Sequence, residues 1–327
     1  MELQARLRRL ALAAAFLALA LPARAQVASP HAIAIPEWFN ESLLELREEV
    51  RDAAKQGKRV LLYFGQDGCP YCTSLMSTNF SQQSIVDKTR RHFVAIALNL
   101  WGDREVGWID GRRMSEKALG RELRVQFTPT LLFLDEKGAV ALRLNGFLPP
   151  HRFETALDYA AGMAGKGMRY DDYARTVTKE SASATLHDEP FFAPLPVALR
   201  GAKPVVLLFE TPYCASCDEL HREGLRRDGV RKLAERFTVY RLTLAERRDG
   251  RATWARSLRV AYTPTLVLFD GGREVLRIES YVRPFHLASA LDYVASGDYR
   301  REPSFQRYLQ ARGERLRGRG EPVDLWK

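Results

Sequence analysis

Cysteine is scarce in this chain, and its scarcity narrows the possible chemistry. Only 4 of the 327 residues are cysteine, and they form two short pairs, Cys69 with Cys72 and Cys214 with Cys217. Small secreted proteins that rely on disulfides for stability carry many cysteines scattered through the sequence. A disulfide that closes so few residues restrains the unfolded chain little, so it adds little stability. Redox chemistry is therefore a better reason for these pairs than stabilisation.

Long apolar runs are also nearly absent. The run at residues 10–21 is shorter than the roughly 20 residues that a membrane-spanning helix needs. It follows a basic segment and precedes an Ala-Arg-Ala tripeptide at residues 23–25, which fits the small-x-small pattern of a signal-peptide cleavage site. We expect residues 1–25 to be a signal peptide, cleaved near Ala25/Gln26, and the mature protein to be periplasmic. A membrane anchor is the alternative.

The excess of positive charge is modest. The chain has 50 lysines and arginines against 40 aspartates and glutamates, and part of the excess lies in a basic tail at residues 299–327. Such a tail can contact an acidic partner or an anionic membrane surface, but we favour a solvated tail. No segment is typical of a nucleic-acid-binding module, so we expect no nucleic-acid partner.

An internal duplication organises the chain. The segment LRVQFTPTL at residues 123–131 matches LRVAYTPTL at residues 258–266. Each cysteine pair follows a strand-like apolar run, at residues 59–64 and 204–209, and precedes a helix-like stretch. The first copy carries an insertion between residues 99 and 116, which we expect to be a surface loop near its cysteines.

The position of each pair predicts which cysteine attacks. A cysteine at a helix N-terminus faces unpaired backbone N–H groups and the positive end of the helix dipole. Both favour the thiolate, which is the attacking species, over the thiol. We therefore assign Cys69 and Cys214 as nucleophiles. Cys72 and Cys217 lie one turn deeper, and we assign them as the resolving thiols that attack the mixed disulfide.

Each pair is followed later by the tetrapeptide Thr-Pro-Thr-Leu. Proline cannot donate a strand hydrogen bond, so a proline at the start of a strand needs a special reason. We expect cis peptide bonds at Thr128-Pro129 and Thr263-Pro264, because an X-Pro bond adopts cis at a cost of only about 0.5–1 kcal/mol. An ordinary trans proline at a sheet edge is the alternative.

A strand, a C-x-x-C, a helix and a Thr-Pro before a second strand resemble the layout of the thioredoxin family, and the chain has this layout twice. The segment YFGQDGCPYC at residues 63–72 is similar in particular to SoxW-like periplasmic thioredoxins. The resemblance implies an α/β protein with two tandem thioredoxin-like domains, each a central mixed sheet flanked by helices. We place these domains at residues 36–165 and 191–298, joined by a linker at residues 166–190.

The resemblance also implies where substrates bind. In this fold the Thr-Pro loop lies beside the dithiol, so the free backbone of Thr128 or Thr263 can pair with an extended substrate strand. We expect these two threonines, together with Pro129, Pro264 and Tyr71, to contact the substrate.

One departure from the family pattern occurs in both copies. Typical thioredoxins carry a buried aspartate six residues before the first cysteine, which helps to move the proton of the resolving thiol. This chain has Tyr63 and Leu208 at those positions. The nearest acids that could substitute for it are Asp67 and Glu210, although we favour the interpretation of both as solvated loop residues. The proton acceptor of each resolving cysteine is therefore unassigned.

Structural zinc is an alternative use of two C-x-x-C pairs. Four-cysteine zinc sites separate their pairs by about 15–20 residues, whereas these pairs belong to separate domains. We expect no metal, and no cofactor beyond the redox-active disulfides Cys69-Cys72 and Cys214-Cys217.

Three functions fit the motifs. We favour a reductase of exported protein disulfides, with a membrane thiol transporter of the DsbD/CcdA type as electron donor. An oxidase or isomerase is the second, because Pro-Tyr between Cys69 and Cys72 implies an intermediate reduction potential. A peptide-binding, holdase-like module is the third, because Ala-Ser between Cys214 and Cys217 is less typical of an active dithiol. We expect the two pairs to differ in reduction potential. Transfer of electrons from one pair to the other is a further alternative.

Overall fold

The computed structural model describes residues 33–164, 166–178, 180–244 and 251–325, without the side chains of residues 251–253. The predicted signal peptide, residues 1–25, lies outside the described residues. Among the described helices, none combines the length and the apolar character needed to cross a bilayer.

The first half of the protein is built on a four-stranded mixed sheet. Strand β1 (Arg59–Gly65) is buried along its whole length, because its run of apolar residues has helices or loops packed on both faces. The strand order is β2-β1-β5-β6, with β1 parallel to β2 and antiparallel to β5. The other elements are α1 (Leu46–Lys55), α2 (Pro70–Ser74), a π-helical turn (Leu75–Asn79), α3 (Gln83–His92), β2 (Phe93–Asn99), β3 (Glu105–Gly107), β4 (Arg113–Ser115), α4 (Glu116–Glu122), β5 (Thr130–Leu134), β6 (Val140–Asn145) and α5 (Pro150–Gly162).

The second half repeats this plan after a short helix, α6 (Tyr170–Val177). Its sheet has the order β10-β9-β7-β8, with the central strand β7 (Val205–Glu210) parallel to β8 and antiparallel to β9. The prediction of two α/β domains with mixed sheets is confirmed. The remaining elements are α7 (Ala215–Glu219), a π-helical turn (Leu220–Leu225), α8 (Asp228–Ala234), β8 (Thr238–Thr243), α9 (Arg251–Ser257), β9 (Thr265–Asp270), β10 (Arg273–Glu279), α10 (Pro284–Ala295), a 3-10 turn (Asp298–Arg300) and α11 (Phe305–Gly318).

The insertion of the first copy is more ordered than a surface loop. Strands β3 and β4 pair as an antiparallel hairpin, and the buried Val106 anchors β3 in the core of the first half. Trp101, at the start of the insertion, donates its indole N–H to the side chain of Gln66, three residues before Cys69. The insertion therefore supports the loop that leads into the first cysteine pair.

The predicted basic tail is solvated only in part: most of its arginines are exposed, but one face of its helix is packed. Residues Phe305 and Tyr308 lie on one face of α11 and are buried against the core of the second half. Arg312 lies on the same helix and pairs with Asp292 at 2.8 Å. Two aromatic side chains spaced by one turn hold the helix in place. The second half thus continues through α11, beyond the predicted end at residue 298.

The two halves exchange aromatic side chains. Phe127, just before the first Thr-Pro, is buried in the core of the second half, with its ring 5.2 Å from that of Phe305. Tyr262, just before the second Thr-Pro, is buried in the core of the first half and donates its hydroxyl to the carbonyl of Arg143. Residues from Ile33 onward accordingly form one compact unit.

Candidate active site

The first cysteine pair lies at the start of a helix. Cys69 precedes α2, and its Sγ accepts a hydrogen bond from the backbone N–H of Cys72 at 3.1 Å. Pro70 takes the first helical position, where a missing N–H removes no hydrogen bond. The two cysteines form a disulfide, with Cα atoms 5.3 Å apart. Cys69 is 4% exposed and Cys72 is 0% exposed.

The second cysteine pair repeats this geometry, but its first cysteine is more exposed. Cys214 precedes α7, and its Sγ accepts a hydrogen bond from the N–H of Cys217 at 3.1 Å. These cysteines also form a disulfide, with Cα atoms 5.2 Å apart. Cys217 is buried, whereas Cys214 is only half-buried. Each first cysteine therefore sits at its helix start with the second cysteine deeper.

The residue before each first cysteine has a left-handed backbone. Gly68 has φ +70° and Tyr213 has φ +59°. Glycine adopts this conformation freely, whereas a residue with a Cβ pays roughly 1–2 kcal/mol. Tyr213 nonetheless stands there with 56% of its surface exposed beside Cys214. A strained, exposed tyrosine next to a reactive sulfur suits a surface that meets other molecules.

The Thr-Pro loops lie beside the dithiols. The Thr128-Pro129 and Thr263-Pro264 peptide bonds are both cis. The carbonyl oxygen of Thr128 lies 3.5 Å from Cys69 Sγ, and the hydroxyl of Thr263 lies 3.6 Å from Cys214 Sγ. The structure thus brings these predicted site residues together in each half.

The first dithiol is enclosed by other parts of the chain. Tyr71, inside the C-x-x-C, is buried, and its hydroxyl donates to the backbone carbonyl of Leu325 near the C-terminus. The ring of His286, from α10 of the second half, lies 5.1 Å from the ring of Tyr71. Burial lowers the pKa of His286 to about 4, so it is neutral at pH 7. Tyr71 contacts its own chain here, and its predicted substrate role stays a prediction.

A side chain of the first half covers the second dithiol, much as His286 of the second half covers the first. Arg152 of α5 and His286 of α10 occupy equivalent positions, each two residues after the proline that starts its helix. Arg152 reaches Ser216, inside the second C-x-x-C, at 3.4 Å and pairs with Glu219 at 3.1 Å. Each half therefore places one side chain on the cysteine loop of the other.

A cavity of about 740 Å³ borders the second dithiol. Its lining includes Cys214, Tyr213, Thr263 and Asp171. Asp171 belongs to α6, and its carboxylate accepts hydrogen bonds from the backbone N–H of Thr263 at 2.6 Å and from the Thr263 hydroxyl at 2.9 Å. Burial of this carboxylate raises its pKa to about 7, although the two hydrogen bonds from Thr263 oppose that rise. The donors predicted to hold a substrate strand are thus held by Asp171.

The predicted linker also crosses the start of the second cysteine helix. The backbone N–H of Tyr213 donates to the carbonyl of Ser183 at 2.7 Å. The N–H of Ser183 in turn donates to the carboxylate of Asp218 at 2.8 Å. Sequence reasoning missed Ser183 and Asp171, because nothing local in a polar segment shows what it will contact.

A cluster of buried ionisable groups lies in the second half. His221 is 0% exposed, and its two ring nitrogens contact Glu189 at 2.7 Å and Glu210 at 2.8 Å. The interpretation of Glu210 as a solvated loop residue is wrong, because it is the last residue of β7 and 1% exposed. A glutamate directly after the apolar run 204–209 was the available signal. Asp67, in contrast, is exposed as predicted.

The first half has a phenol where typical thioredoxins have an acid. Tyr63 is buried, and among the described residues its hydroxyl has no hydrogen-bond partner. Burial raises the pKa of this phenol above its usual value, so it stays protonated at neutral pH. Within the described parts of the chain, no cluster of three or more histidine, cysteine or acidic side chains is arranged to hold a metal ion.

Both halves of the chain are similar to known proteins. The profile of the thioredoxin-like domain family matches residues 46–161 and residues 194–295. A thioredoxin-fold protein from Helicobacter pylori is 25% identical over 42% of this chain and 92% of its own, with a TM-score of 0.31. A thioredoxin from Thermus thermophilus is 26% identical over 36% of this chain and 85% of its own, with a TM-score of 0.29.

A third solved structure with similarity is the C-terminal domain of DsbD from Neisseria meningitidis in its reduced form. It is 19% identical over 35% of this chain and 93% of its own, with a TM-score of 0.28. A search of curated protein sequences found no match.

Proposed function

Because the chain belongs to the thioredoxin-like domain family through both of its halves, we propose that it is a periplasmic enzyme that reduces disulfides in exported proteins. Thiol–disulfide oxidoreductase activity follows from the family and from the two C-x-x-C pairs held as disulfides. The compartment and the direction of electron flow are the proposed parts.

Reduction of a substrate takes two steps at the second dithiol. The thiolate of Cys214 attacks one sulfur of the substrate disulfide, which forms a mixed disulfide and releases the first substrate thiolate. Cys217 then attacks the sulfur of Cys214, and the second substrate thiolate leaves. Two electrons pass to the substrate, and Cys214 and Cys217 become the disulfide. The helix start favours Cys214 as the thiolate that attacks.

The half-buried position of Cys214 at the edge of a cavity is the observation that carries this proposal. Cys69 is enclosed, so a protein substrate meets Cys214 first. An extended substrate strand offers carbonyl oxygens to backbone donors at such a site. Asp171 holds the N–H of Thr263 in the present conformation. We therefore infer that substrate binding displaces α6 from the second dithiol.

A membrane thiol transporter of the DsbD/CcdA type is the electron donor that we propose. Each turnover leaves Cys214 and Cys217 oxidised, so a donor outside the substrate must return two electrons. The similarity of residues 63–72 to SoxW-like periplasmic thioredoxins supports a donor of this class.

The reduction potential of each pair tests the direction of electron flow. The pairs are measured separately in the full chain, by glutathione equilibration of the Cys69→Ser/Cys72→Ser and Cys214→Ser/Cys217→Ser variants. A potential of the second pair at or below about −220 mV supports a reductase, because thioredoxin lies near −270 mV. A potential above about −180 mV overturns the reductive direction and favours an oxidase or isomerase.

The compartment needs its own test. Residues 1–40 fused to a reporter that is active only after export should give activity in the periplasm. The same fusion without residues 2–25 is the control and should give none. Equal activity from both fusions would contradict the proposed signal peptide.

A further inference from the structure

Three buried ionisable side chains in the second half, Glu189, His221 and Glu210, form what we call the Glu–His–Glu cluster. Each glutamate contacts one ring nitrogen of His221, and Arg226 adds a hydrogen bond to Glu189 at 3.0 Å. Buried charges are costly unless they are paired, so a cluster of this kind needs a reason. None of its members takes part in the exchange steps described above.

The cluster lies on the same side of the sheet as the second cysteine helix. Side chains along a strand alternate between faces, and Val206 and Leu208 pack into the core beneath that helix. Glu210 follows in the same alternation, so its side chain points to this face too. His221 is four residues after Cys217, so it is about one turn farther along the same continuous helical segment.

The hydrogen bonds leave one oxygen of Glu210 unused. Its Oε1 contacts His221, whereas its Oε2 is buried and, among the described residues, has no hydrogen-bond partner. Burial alone would lower the pKa of His221, but the hydrogen bonds and charges of Glu210 and Glu189 outweigh it and raise the pKa. When His221 is protonated, it donates to both glutamates, and Oε2 of Glu210 is left without a hydrogen bond among the described residues.

The first half has no such cluster. The residue four before Cys69 is Gly65, where the second half has Glu210. The residue seven after Cys69 is Met76, where the second half has His221. The cluster is therefore specific to the second dithiol and is not required by the shared backbone.

We propose that Glu210 is the proton acceptor of Cys217, and that His221 and Glu189 are positioning residues that hold its carboxylate. This inference rests on the thiol–disulfide exchange proposed above. When the mixed disulfide is resolved, the proton of the Cys217 thiol passes to Oε2 of Glu210, and the Cys217 thiolate attacks Cys214 Sγ. The electron pair of the broken sulfur–sulfur bond leaves with the substrate thiolate, which takes its proton from solvent.

Other ionisable groups face the cluster. The ring of His187 lies 4.7 Å from that of His221 and is itself bonded to Asp218 at 2.8 Å. Arg226 faces Glu189 from the helical turn that carries His221. The pH dependence expected below therefore belongs to the cluster with these neighbours.

Single-turnover kinetics with an aromatic disulfide reagent test the proposal. In the Cys69→Ser/Cys72→Ser background, the first coloured thiolate released reports attack by Cys214, and the second reports resolution by Cys217. We expect Glu210→Gln to slow the second phase at pH 7 by about a hundredfold, the lower range for general-base catalysis, and to leave the first phase unchanged. The second phase should recover as the pH approaches the ordinary thiol pKa of about 8.5.

Matched variants distinguish proton transfer from a change of structure. Glu223→Gln removes an acid from the exposed side of the same helical segment and should leave both phases unchanged. Glu189→Gln should slow the second phase by less than Glu210→Gln, because it acts only through His221. An unchanged second phase in Glu210→Gln overturns the inference. A missing first phase in the unsubstituted background would instead overturn exchange at this dithiol.

A measurement on the native side chains decides the matter if Glu210→Gln does not fold. The Cβ chemical shift of Cys217 in the reduced protein is followed by NMR from acid to alkaline pH. We expect the Cys217 thiol to titrate above the ordinary thiol value, because a buried carboxylate beside it disfavours the thiolate. A titration at the ordinary thiol value overturns the inference.

Discussion

Cys69 and Cys214 begin equivalent helices, yet their surroundings differ in access. Cys69 lies under the second half of the chain and under Leu325, whereas Cys214 borders a cavity. The backbone geometry around the two sulfurs is nearly the same, from the helix start to the cis Thr-Pro loop. What a dithiol can reach is therefore set by residues far away in the sequence, and the local motif does not determine it.

The two dithiols also differ in the ionisable groups behind them. Tyr63, a protonated phenol, stands on the strand before Cys69, whereas Glu210 and His221 accompany Cys217. A phenol with a raised pKa is a poor proton acceptor at neutral pH, and a carboxylate is a good one. The comparison indicates that a duplicated fold can keep the same cysteine geometry in both halves while placing different ionisable groups near the two dithiols.

Removing the side chain of Phe127 should have the largest effect. We expect Phe127→Ala to lower the free energy of unfolding by about 3–5 kcal/mol, because it leaves a cavity in the core of the second half. Urea unfolding followed by circular dichroism measures this. Leu43→Ala is the control, since Leu43 is 90% exposed, and it should stay within about 0.5 kcal/mol. A loss below about 1 kcal/mol for Phe127→Ala would show that the exchange of aromatic side chains between the two halves contributes little to stability.

The difference in access should appear as a difference in reduction rate. We expect a phosphine reductant to reduce Cys214-Cys217 about a hundredfold faster than Cys69-Cys72, because reaching Cys69 requires local opening. This ratio corresponds to an opening free energy of about 2.7 kcal/mol. Alkylation at timed intervals followed by peptide mass spectrometry measures both rates in one sample. Phe127→Ala should narrow the ratio. Equal rates in the unsubstituted protein would contradict the enclosure of the first dithiol.

Asp171 should make access to the second dithiol depend on pH. Its pKa is about 7 when α6 is docked, against an ordinary value of about 3.9 when released. A raised pKa stabilises the docked state fully below about pH 4, and this contribution is lost as the pH rises through about 7. Reduction of Cys214-Cys217 should therefore speed up about tenfold over that interval, relative to Asp171→Asn.

The neighbouring aspartate is the control for this pH effect. Asp172 pairs with Arg169 and Arg175, and these partners lower its pKa. Asp172→Asn should therefore keep the rise of the rate with pH, moved only slightly to lower pH, because the charge of Asp172 adds a little to the raised pKa of Asp171. A flat profile in the unsubstituted protein would show that α6 does not limit access.

The hydroxyl of Tyr71 should have the smallest effect. Tyr71→Phe removes its hydrogen bond to Leu325, a loss of about 1 kcal/mol, and should speed up reduction of the first dithiol about fivefold. Tyr293→Phe is the matched control, because it removes a hydroxyl–carbonyl hydrogen bond of the same kind, to Glu302, within the second half. The two rates are compared by the same alkylation assay. Equal rates of reduction of the first dithiol in the two variants would show that the hydrogen bond between Tyr71 and Leu325 does not limit access to it.

The features that the sequence predicts well are those encoded by neighbouring residues. The cysteine spacing, the apolar strand before it and the Thr-Pro tetrapeptide each lie within a few positions, so the dithiols and their loops could be found from them. The resemblance to thioredoxins supplied the mixed sheet flanked by helices in each half. Both kinds of reasoning work because helix starts, strands and turns depend on local chemistry.

The features that the sequence did not predict depend on distant residues. Glu210 is buried with His221 as its partner, and Glu189 holds the other ring nitrogen of that histidine; neither residue lies next to Glu210 in the chain. The C-terminal helix is packed because Phe305 and Tyr308 are buried in the core of the second half, although arginines dominate the composition of this segment. Asp171 docks because Thr263, far along the chain, offers two donors. Such pairings become visible only when the whole chain is folded.

The exchange of Phe127 and Tyr262 gives the protein a property of symmetric dimers without their dependence on concentration. Two separate subunits with this interface would dissociate on dilution. Each would then expose its aromatic ring and the pocket that the partner's ring had filled. Here one polypeptide carries both partners, so the effective concentration of each half near the other is fixed by the connecting chain. The assembly therefore persists however dilute the protein becomes.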